Sequence, residues 1–381
     1  MTDYKKYFSE DVPSFLRSPV RDIFAKVDLS AICSFAGGSP AAVTFPTEAI
    51  KQLSSAVLDK YGPKALQYGA TQGVPELRQA IAERYGVPVS RVQITTSSQQ
   101  GIDVCSRVFL DPGDIVLANN PVYLGALQSF KAYRAKVKSL SSCHGLSVES
   151  PAKFIYVIPD FNNPSGETMT LQEREKLVAY AREQDLLIVE DSPYRELRYS
   201  GKAVPTIYSL APERTLHLGS FSKILAPGFR LGWIIGPEPL LEQIYICKQA
   251  LDLCPPVFDQ YIAAEYISSG ELDRNLVGTI AEYRRRRDKM LGLLDEYMPA
   301  GTSWTHPEGG LFLFLTLPES IDTVALYDEA LTAGVDYVAG SFFYTDGSHR
   351  NTMRLNFSFI DEAKMELGIR LLADLIRKHL S

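Results

Sequence analysis

Between Arg91 and Gly236, short apolar runs alternate with amphipathic stretches. This alternation limits what the chain can fold into more than any other feature. "RVQITT", "DIVLAN", "KFIYVIP", "LLIVED", "TLHLGSF" and "RLGWIIG" are apolar almost throughout, as strands buried on both faces must be. "GIDVCSRVFL", "YLGALQSFKAY" and "TLQEREKLVAYAREQ" lie between them, with apolar residues at helical spacing. Strand–helix alternation of this kind predicts an α/β fold with a mostly parallel sheet covered by helices on both sides.

Two helices are expected upstream, "TEAIKQLSSAVLDKYG", ending near Gly62, and "GVPELRQAIAERYG", closed by Gly86. The first forty residues read as an arm. Its short helix, "SPVRDIFAKV", opens on Ser18 as N-cap and Pro19 at the first helical position. After Leu272 the pattern changes to a long helix through Met298, the strands "GLFLFLTLP", "VDYVAG" and "TMRLNFSF", and a final helix. The expected division is an arm over 1–40 packing with the small domain, a large domain over 41–270 and a smaller α+β domain over 271–381.

Charge and cysteine content narrow the setting. The net charge of -6 and scattered Lys and Arg argue against a nucleic-acid footprint. The one dense basic run, Tyr283 to Lys289, has Glu282 and Asp288 beside it and reads as a solvated helix face. Five cysteines without a C-x-x-C suit a reducing compartment. The start, "MTDYKKYFSEDVPSF", is not a signal peptide. No apolar run approaches the ~18 residues of a membrane span. A soluble cytoplasmic protein with no membrane or nucleic-acid partner is expected. Glycine-rich nucleotide fingerprints and metal-ligand histidine spacings are lacking. His217, on an apolar strand, reads as a core histidine rather than a ligand.

Ligands of open α/β sheets sit beyond the carboxyl ends of the strands, so the residues following each strand carry the functional information. "RVQITT" leads into Ser97-Ser98-Gln99-Gln100-Gly101 at a helix start. "KFIYVIP" leads into Asp160-Phe161-Asn162-Asn163-Pro164-Ser165-Gly166. "LLIV" leads into Glu190-Asp191-Ser192-Pro193-Tyr194, and "LHLG" into Ser220-Phe221-Ser222-Lys223. Each alone has a plain structural explanation, as a cap, a turn or a surface lysine. Together they bring hydroxyls, amides, a carboxylate, a tyrosine and a lysine to one rim. Hydroxyls at a helix N-terminus, with Arg230, suit a phosphate. A carboxylate suits a cationic ring nitrogen. A lysine among apolar neighbours can act as an amine nucleophile. Phosphate, pyridinium and imine carbon together describe pyridoxal 5'-phosphate.

The stretches "LQYGATQGVPELRQAI", "SSQQGID", "PVYLGALQSF", "PDFNNPSGETM", "EDSPYRELRY", "GSFSKILAPGFRLGW" and "MRLNFSF" span most of the chain. In this order they resemble the class I/II aminotransferases of the fold-type-I pyridoxal-phosphate superfamily, and most of all the 2-aminoadipate and kynurenine aminotransferase subgroup. The resemblance implies a large sheet of the seven-stranded type. It implies that Lys223 forms the Schiff base, that Asp191 pairs with the ring nitrogen, and that Tyr194 and Asn163 hold the ring hydroxyl oxygen. Tyr123 is expected to stack on the ring. Ser98, Gln99, Gln100, Ser220, Ser222 and Arg230 are expected around the phosphate. Tyr68 resembles a tyrosine that reaches a phosphate across a dimer interface, which implies a homodimer with shared sites; a packed turn aromatic is the other reading.

Strand alternation in "TMRLNFSF" puts Arg354, Asn356 and Ser358 on one face and Leu355, Phe357 and Phe359 on the other. Arg354 is therefore expected to point away from the apolar face, where a planar guanidinium suits bidentate binding of a carboxylate. The family places its substrate-carboxylate arginine at this match, and Gly37-Gly38 would let the backbone approach the same group. Arg21 matches an arginine that can meet a distal carboxylate, or it is a surface helix residue. The implied activity is transfer of an amino group from an aromatic, branched or 2-aminoadipate-like L-amino acid to a 2-oxo acid, 2-oxoglutarate foremost. A β-lyase, decarboxylase or aminocyclopropane-type synthase would use the same lysine and aspartate.

Overall fold

The computed structural model describes residues 2–15, 31–140 and 152–380. The helix expected in "SPVRDIFAKV", and Arg21 with it, lies outside the described residues. The first strand, β1 (Cys33–Ser34), precedes helices α1 (Thr47–Tyr61) and α2 (Pro75–Tyr85). The alternating region follows as β2 (Val92–Thr95), α3 (Ser97–Phe109), β3 (Ile115–Ala118), α4 (Leu124–Ala132), β4 (Lys136–Ser139), β5 (Ala152–Val157), α5 (Leu171–Glu183), β6 (Leu187–Asp191), the short α6 (Ile207–Leu210), β7 (Thr215–Ser220) and β8 (Gly232–Ile235). Helices α7 (Glu238–Asp252), α8 (Val257–Ser268) and α9 (Glu271–Tyr297) come next. The chain closes with β9 (Ser303–Trp304), β10 (Phe312–Thr316), α10 (Tyr327–Ala333), β11 (Val335–Asp336), β12 (Val338–Ala339), β13 (Thr352–Asn356) and α11 (Glu362–Leu380).

Seven strands form one sheet in the order β2-β8-β7-β6-β5-β3-β4. The neighbours from β7 through β4 run parallel, and β8 is antiparallel to both β7 and β2. This mixed α/β fold is the one the alternation predicted. The strand β4 escapes an apolar search because "KVKS" is a half-exposed edge, and lysines on an edge discourage pairing with another chain.

Period-two alternation sorts the sheet's side chains onto its two faces. On β5, Phe154 and Tyr156, with Ile158 just beyond its end, join one core cluster, while Ile155 and Val157 join the other. Helix α5 covers the second face and starts on a reciprocal capping box between Thr170 and Glu173. A second sheet, β12-β13-β10-β9, forms after α9. The run "VDYVAG" is two strands rather than one: β11 pairs with β1 of the arm, and β12 pairs with β13. They divide at the fully buried Tyr337, whose hydroxyl donates to Thr323 O at 2.7 Å.

The basic run on α9 departs from the expected solvated face. Tyr283 is fully buried. Arg286 donates to the carbonyls of Ser358 and Ile360, and Arg287 to that of Pro307. Arg285 pairs with Glu282 and Glu362. These long side chains tie the helix to loops of the second sheet, which charge counting along a helix does not reveal. Among the described residues no helix is long and apolar enough to cross a membrane.

Candidate active site

A cleft of about 1030 Å³ opens over the carboxyl ends of the strands. Ser97, Ser98 and Gln99 line it from the start of α3, Asn163 from the loop after β5, and Asp191 and Tyr194 from the end of β6. Ser220 lines it from the end of β7, and Ser222, Lys223 and Arg230 from the segment between β7 and β8. Tyr123 comes from the start of α4, Gly38 from the arm and Arg354 from β13. Most of the residues predicted from scattered strand ends thus share one cavity.

Two do not line it. The Gln100 amide oxygen accepts from Thr96 N at 2.8 Å, and its nitrogen donates to Asp252 Oδ2 at 2.7 Å. Asp252 also binds Lys248, which is fully buried. Gln100 therefore braces the start of α3 from behind, because the helical turn points it about 100° away from Gln99. Tyr68 stands 78% exposed on the surface of the single chain.

At the floor of the cleft lies Asp191, 1% exposed. Its Oδ2 accepts from Tyr156 OH at 2.8 Å, while Oδ1 is buried with no partner. Burial pushes the Asp191 carboxyl up to about 7, against the Tyr156 hydrogen bond and the neighbouring His217, which pull it down. Of the tandem carboxylates, parity sends only Asp191 to the cleft. Glu190 faces the opposite side, where it accepts from the backbone N–H groups of Ile207 and Tyr208 and meets His217 Nδ1 at 3.0 Å. His217 is a core histidine, as expected. Tyr156 is a site residue that sequence reading passed over. Its signal was a single hydroxyl in an otherwise apolar strand.

Lys223 ends a short 3-10 turn, Phe221–Lys223, which Ser220 Oγ caps by accepting from Ser222 N at 3.2 Å. Lys223 Nζ donates to Gly38 O at 2.8 Å. Desolvation lowers the Lys223 ammonium to about 8, helped by the positive charges of Arg354 and Arg230. About a tenth is thus unprotonated amine at pH 7, several hundred times more than for an ordinary lysine. Arg230 adopts a left-handed backbone, φ 51°, at the end of the turn Pro227–Phe229.

Arg354 is 4% exposed, and burial lowers its guanidinium to about 10. Nη1 donates to Asn163 Oδ1 at 3.0 Å, and Nη2 to Ala36 O. It lies over the rings of Phe312, at 4.5 Å, and Phe343, at 5.3 Å. The strand alternation turned Arg354 as predicted, but its surroundings are aromatic, so the cation is held by ring faces as well as by carbonyls. Past Asn356 the alternation fails. Asn356 Oδ1 accepts from Ser358 N and Phe359 N, the chain turns, and Phe359 is exposed.

The donor set fits pyridoxal phosphate. A buried carboxylate oxygen without a partner awaits a cationic nitrogen, an amine of lowered pKa stands in the same cavity, and hydroxyls gather at a helix start. Gly125 keeps the wall open, since a Cβ there would come within 2.5 Å of Gln99 Oε1 and 2.6 Å of the Tyr123 ring. Among the described residues no cluster of His, Cys, Asp and Glu could hold a metal ion.

Comparison with known proteins agrees with this geometry. The aminotransferase class I and II family profile matches residues 41–372. An aromatic-amino-acid aminotransferase of Thermococcus litoralis is 43% identical, over 99% of this chain and 96% of that protein. The kynurenine aminotransferase of Pyrococcus horikoshii, solved with PMP, is 40% identical and superposes with a TM-score of 0.95, over 100% of this chain and 99% of that one. The α-aminoadipate aminotransferase LysN of Thermus thermophilus, solved with N-(5'-phosphopyridoxyl)-L-leucine, is 32% identical with a TM-score of 0.93 at the same coverage. The chain belongs to the class I and II aminotransferases.

Proposed function

We propose that this aminotransferase uses pyridoxal 5'-phosphate to move the amino group of an aromatic, branched or 2-aminoadipate-like L-amino acid to a 2-oxo acid, with 2-oxoglutarate as the principal acceptor. The observation that carries the reading is the unpartnered, buried Asp191 Oδ1 in one cleft with Lys223, an amine lowered to about 8. When bound, the cofactor supplies an electron-accepting ring that stabilises negative charge at the amino acid's Cα.

The chain's residues divide the remaining work. Asp191 Oδ1 holds the protonated ring nitrogen, since a near anion favours the cationic form. Tyr156 anchors the other oxygen, so Oδ1 stays turned to the cleft. Ser98, Gln99, Ser220, Ser222 and Arg230 bind the phosphate. Tyr123 covers one ring face, and Tyr194 and Asn163 hold the ring hydroxyl oxygen. Arg354 receives the α-carboxylate, aided by the backbone at Gly38. Lys223 Nζ, as free amine, takes the Cα proton and returns it. Arg21 meets a distal side-chain carboxylate, and Tyr68 reaches the phosphate of a partner subunit in a cytoplasmic homodimer. The division into an arm over 1–40 and domains over 41–270 and 271–381 is part of this reading.

The test is spectroscopic. The purified protein should show a visible cofactor band, and adding single amino acids without acceptor should bleach it for true donors. No band after cofactor is added defeats the reading. Lys223→Ala should bind cofactor but not turn over; full activity would sink the proposed base. Arg21→Ala should raise KM for 2-aminoadipate and leave that for phenylalanine unchanged.

A further inference from the structure

Asp336 is a carboxylate with no solvent exposure at the end of β11, and the chemistry above gives it no task. Three donors converge on it. Ser34 Oγ donates to Oδ2 at 3.0 Å, while Phe35 N and Ala36 N donate to Oδ1 at 2.8 and 3.1 Å. All three belong to one stretch of the arm. Pairing of β1 with β11 sets Ser34 opposite Asp336, but the strand stops there. Phe35 N shares its hydrogen between the Asp336 side chain and Asp336 O, at 3.3 Å, and Ala36 N is taken up by the side chain.

Further along, the same stretch offers carbonyls to two cations of the cleft, Arg354 and Lys223. Ala36 O accepts from Arg354 Nη2, and Gly38 O accepts from Lys223 Nζ at 2.8 Å. Among the described residues no direct ion pair joins Asp336 to Arg354. Burial raises the Asp336 carboxyl, and the three hydrogen bonds and the Arg354 charge partly offset that cost. A buried anion persists only where such partners exist.

We propose that Asp336 is a positioning residue for substrate carboxylates. It clamps residues 34–36 so that Ala36 O holds the Arg354 guanidinium in place before substrate arrives. The inference rests on Arg354 as the carboxylate receptor. An Asn at 336 could keep the arrangement, with its oxygen accepting from both backbone N–H groups and its nitrogen donating to Ser34 Oγ. An Ala would leave Ala36 N and Ser34 Oγ without this acceptor and Phe35 N with only its longer bond to the backbone carbonyl of residue 336, and so loosen the arm.

The experiment compares Asp336→Ala, Asp336→Asn and Arg354→Met as holoenzymes, with L-phenylalanine and 2-oxoglutarate as substrates and hydrogen exchange at residues 34–38 as a second readout. Asp336→Ala should raise KM for both substrates about tenfold, with kcat and the cofactor band nearly unchanged and exchange at 34–38 accelerated. Asp336→Asn should return KM to within about threefold of the parent. The proposal is overturned if Arg354→Met raises KM while Asp336→Ala does not, or if Asp336→Ala lowers kcat alone. Unchanged KM in Arg354→Met would instead bring down the carboxylate-receptor reading itself. Should Asp336→Ala not fold, Asp336→Ser, which keeps one acceptor, is judged by the same KM criterion.

Discussion

Replacing Tyr156 by Phe removes one oxygen from the floor of the cleft and leaves the ring's packing in place. That oxygen donates to Asp191 Oδ2 at 2.8 Å, with both residues buried. A hydrogen bond to an ionised carboxylate contributes about 1.5–3 kcal/mol, and one between neutral groups about 1 kcal/mol. The difference, about 0.5–2 kcal/mol, is centred on roughly one pK unit. Burial has already pushed the Asp191 carboxyl up to about 7, with Tyr156 opposing it. In Tyr156→Phe it rises further.

The sign of the stability effect follows from proton counts. The unfolded Asp191 titrates near ~4. Between there and its folded value the unfolded state holds fewer protons, so the group's contribution to stability falls as pH rises and levels off above the folded value. Raising the folded value lengthens that window. At pH 9 the variant should therefore lose about 0.5–2 kcal/mol more than at pH 5.5. Urea denaturation of cofactor-free protein at both pH values, at one fixed protein concentration, measures the difference. An equal loss at both, or a larger loss in acid, would refute the account of Asp191.

Lys223 should react as a free amine with a midpoint at about 8, because desolvation and the charges of Arg354 and Arg230 lower it. Rates of reductive methylation at Lys223 in cofactor-free protein, followed by mass spectrometry across pH, should rise through that value, and Arg354→Met should move the midpoint upward. Arg174, fully buried, donates to both oxygens of the buried Asp160. Arg174→Met should cost about 3 kcal/mol by chemical denaturation, at the lower end of the range for a broken buried pair because Arg195 still reaches Asp160 at 2.9 Å. Gln100→Leu should lower the melting temperature and leave cofactor affinity within about twofold, as expected of a brace behind the helix; a large drop in affinity would return Gln100 to the cleft.

The alternation of apolar runs specified the sheet, and the residues after each strand named most of the cleft. Both are local properties. A strand's period of two fixes which face a side chain takes, so Asp191 and Arg354 could be oriented within their own strands. The edge strand β4 stayed hidden because a half-exposed strand need not be apolar. Gln100 was placed in the cleft because adjacent positions on a helix were not separated by angle. Arg286 and Arg287 of α9 read as solvated because their acceptors include backbone carbonyls of distant loops.

Contacts between strands were beyond any local signal. Tyr156 meets Asp191 only because β5 and β6 are parallel neighbours in register. Asp336 meets Phe35 and Ala36 across about 300 residues because β1 joins β11. The sequence by itself determined the elements, their buried faces and the chemical types at the strand ends. Only the tertiary structure decided which oxygen of Asp191 is left without a partner and which carboxylate secures the arm. Those depend on strand order and approach, set by packing the whole core rather than by any neighbouring residue.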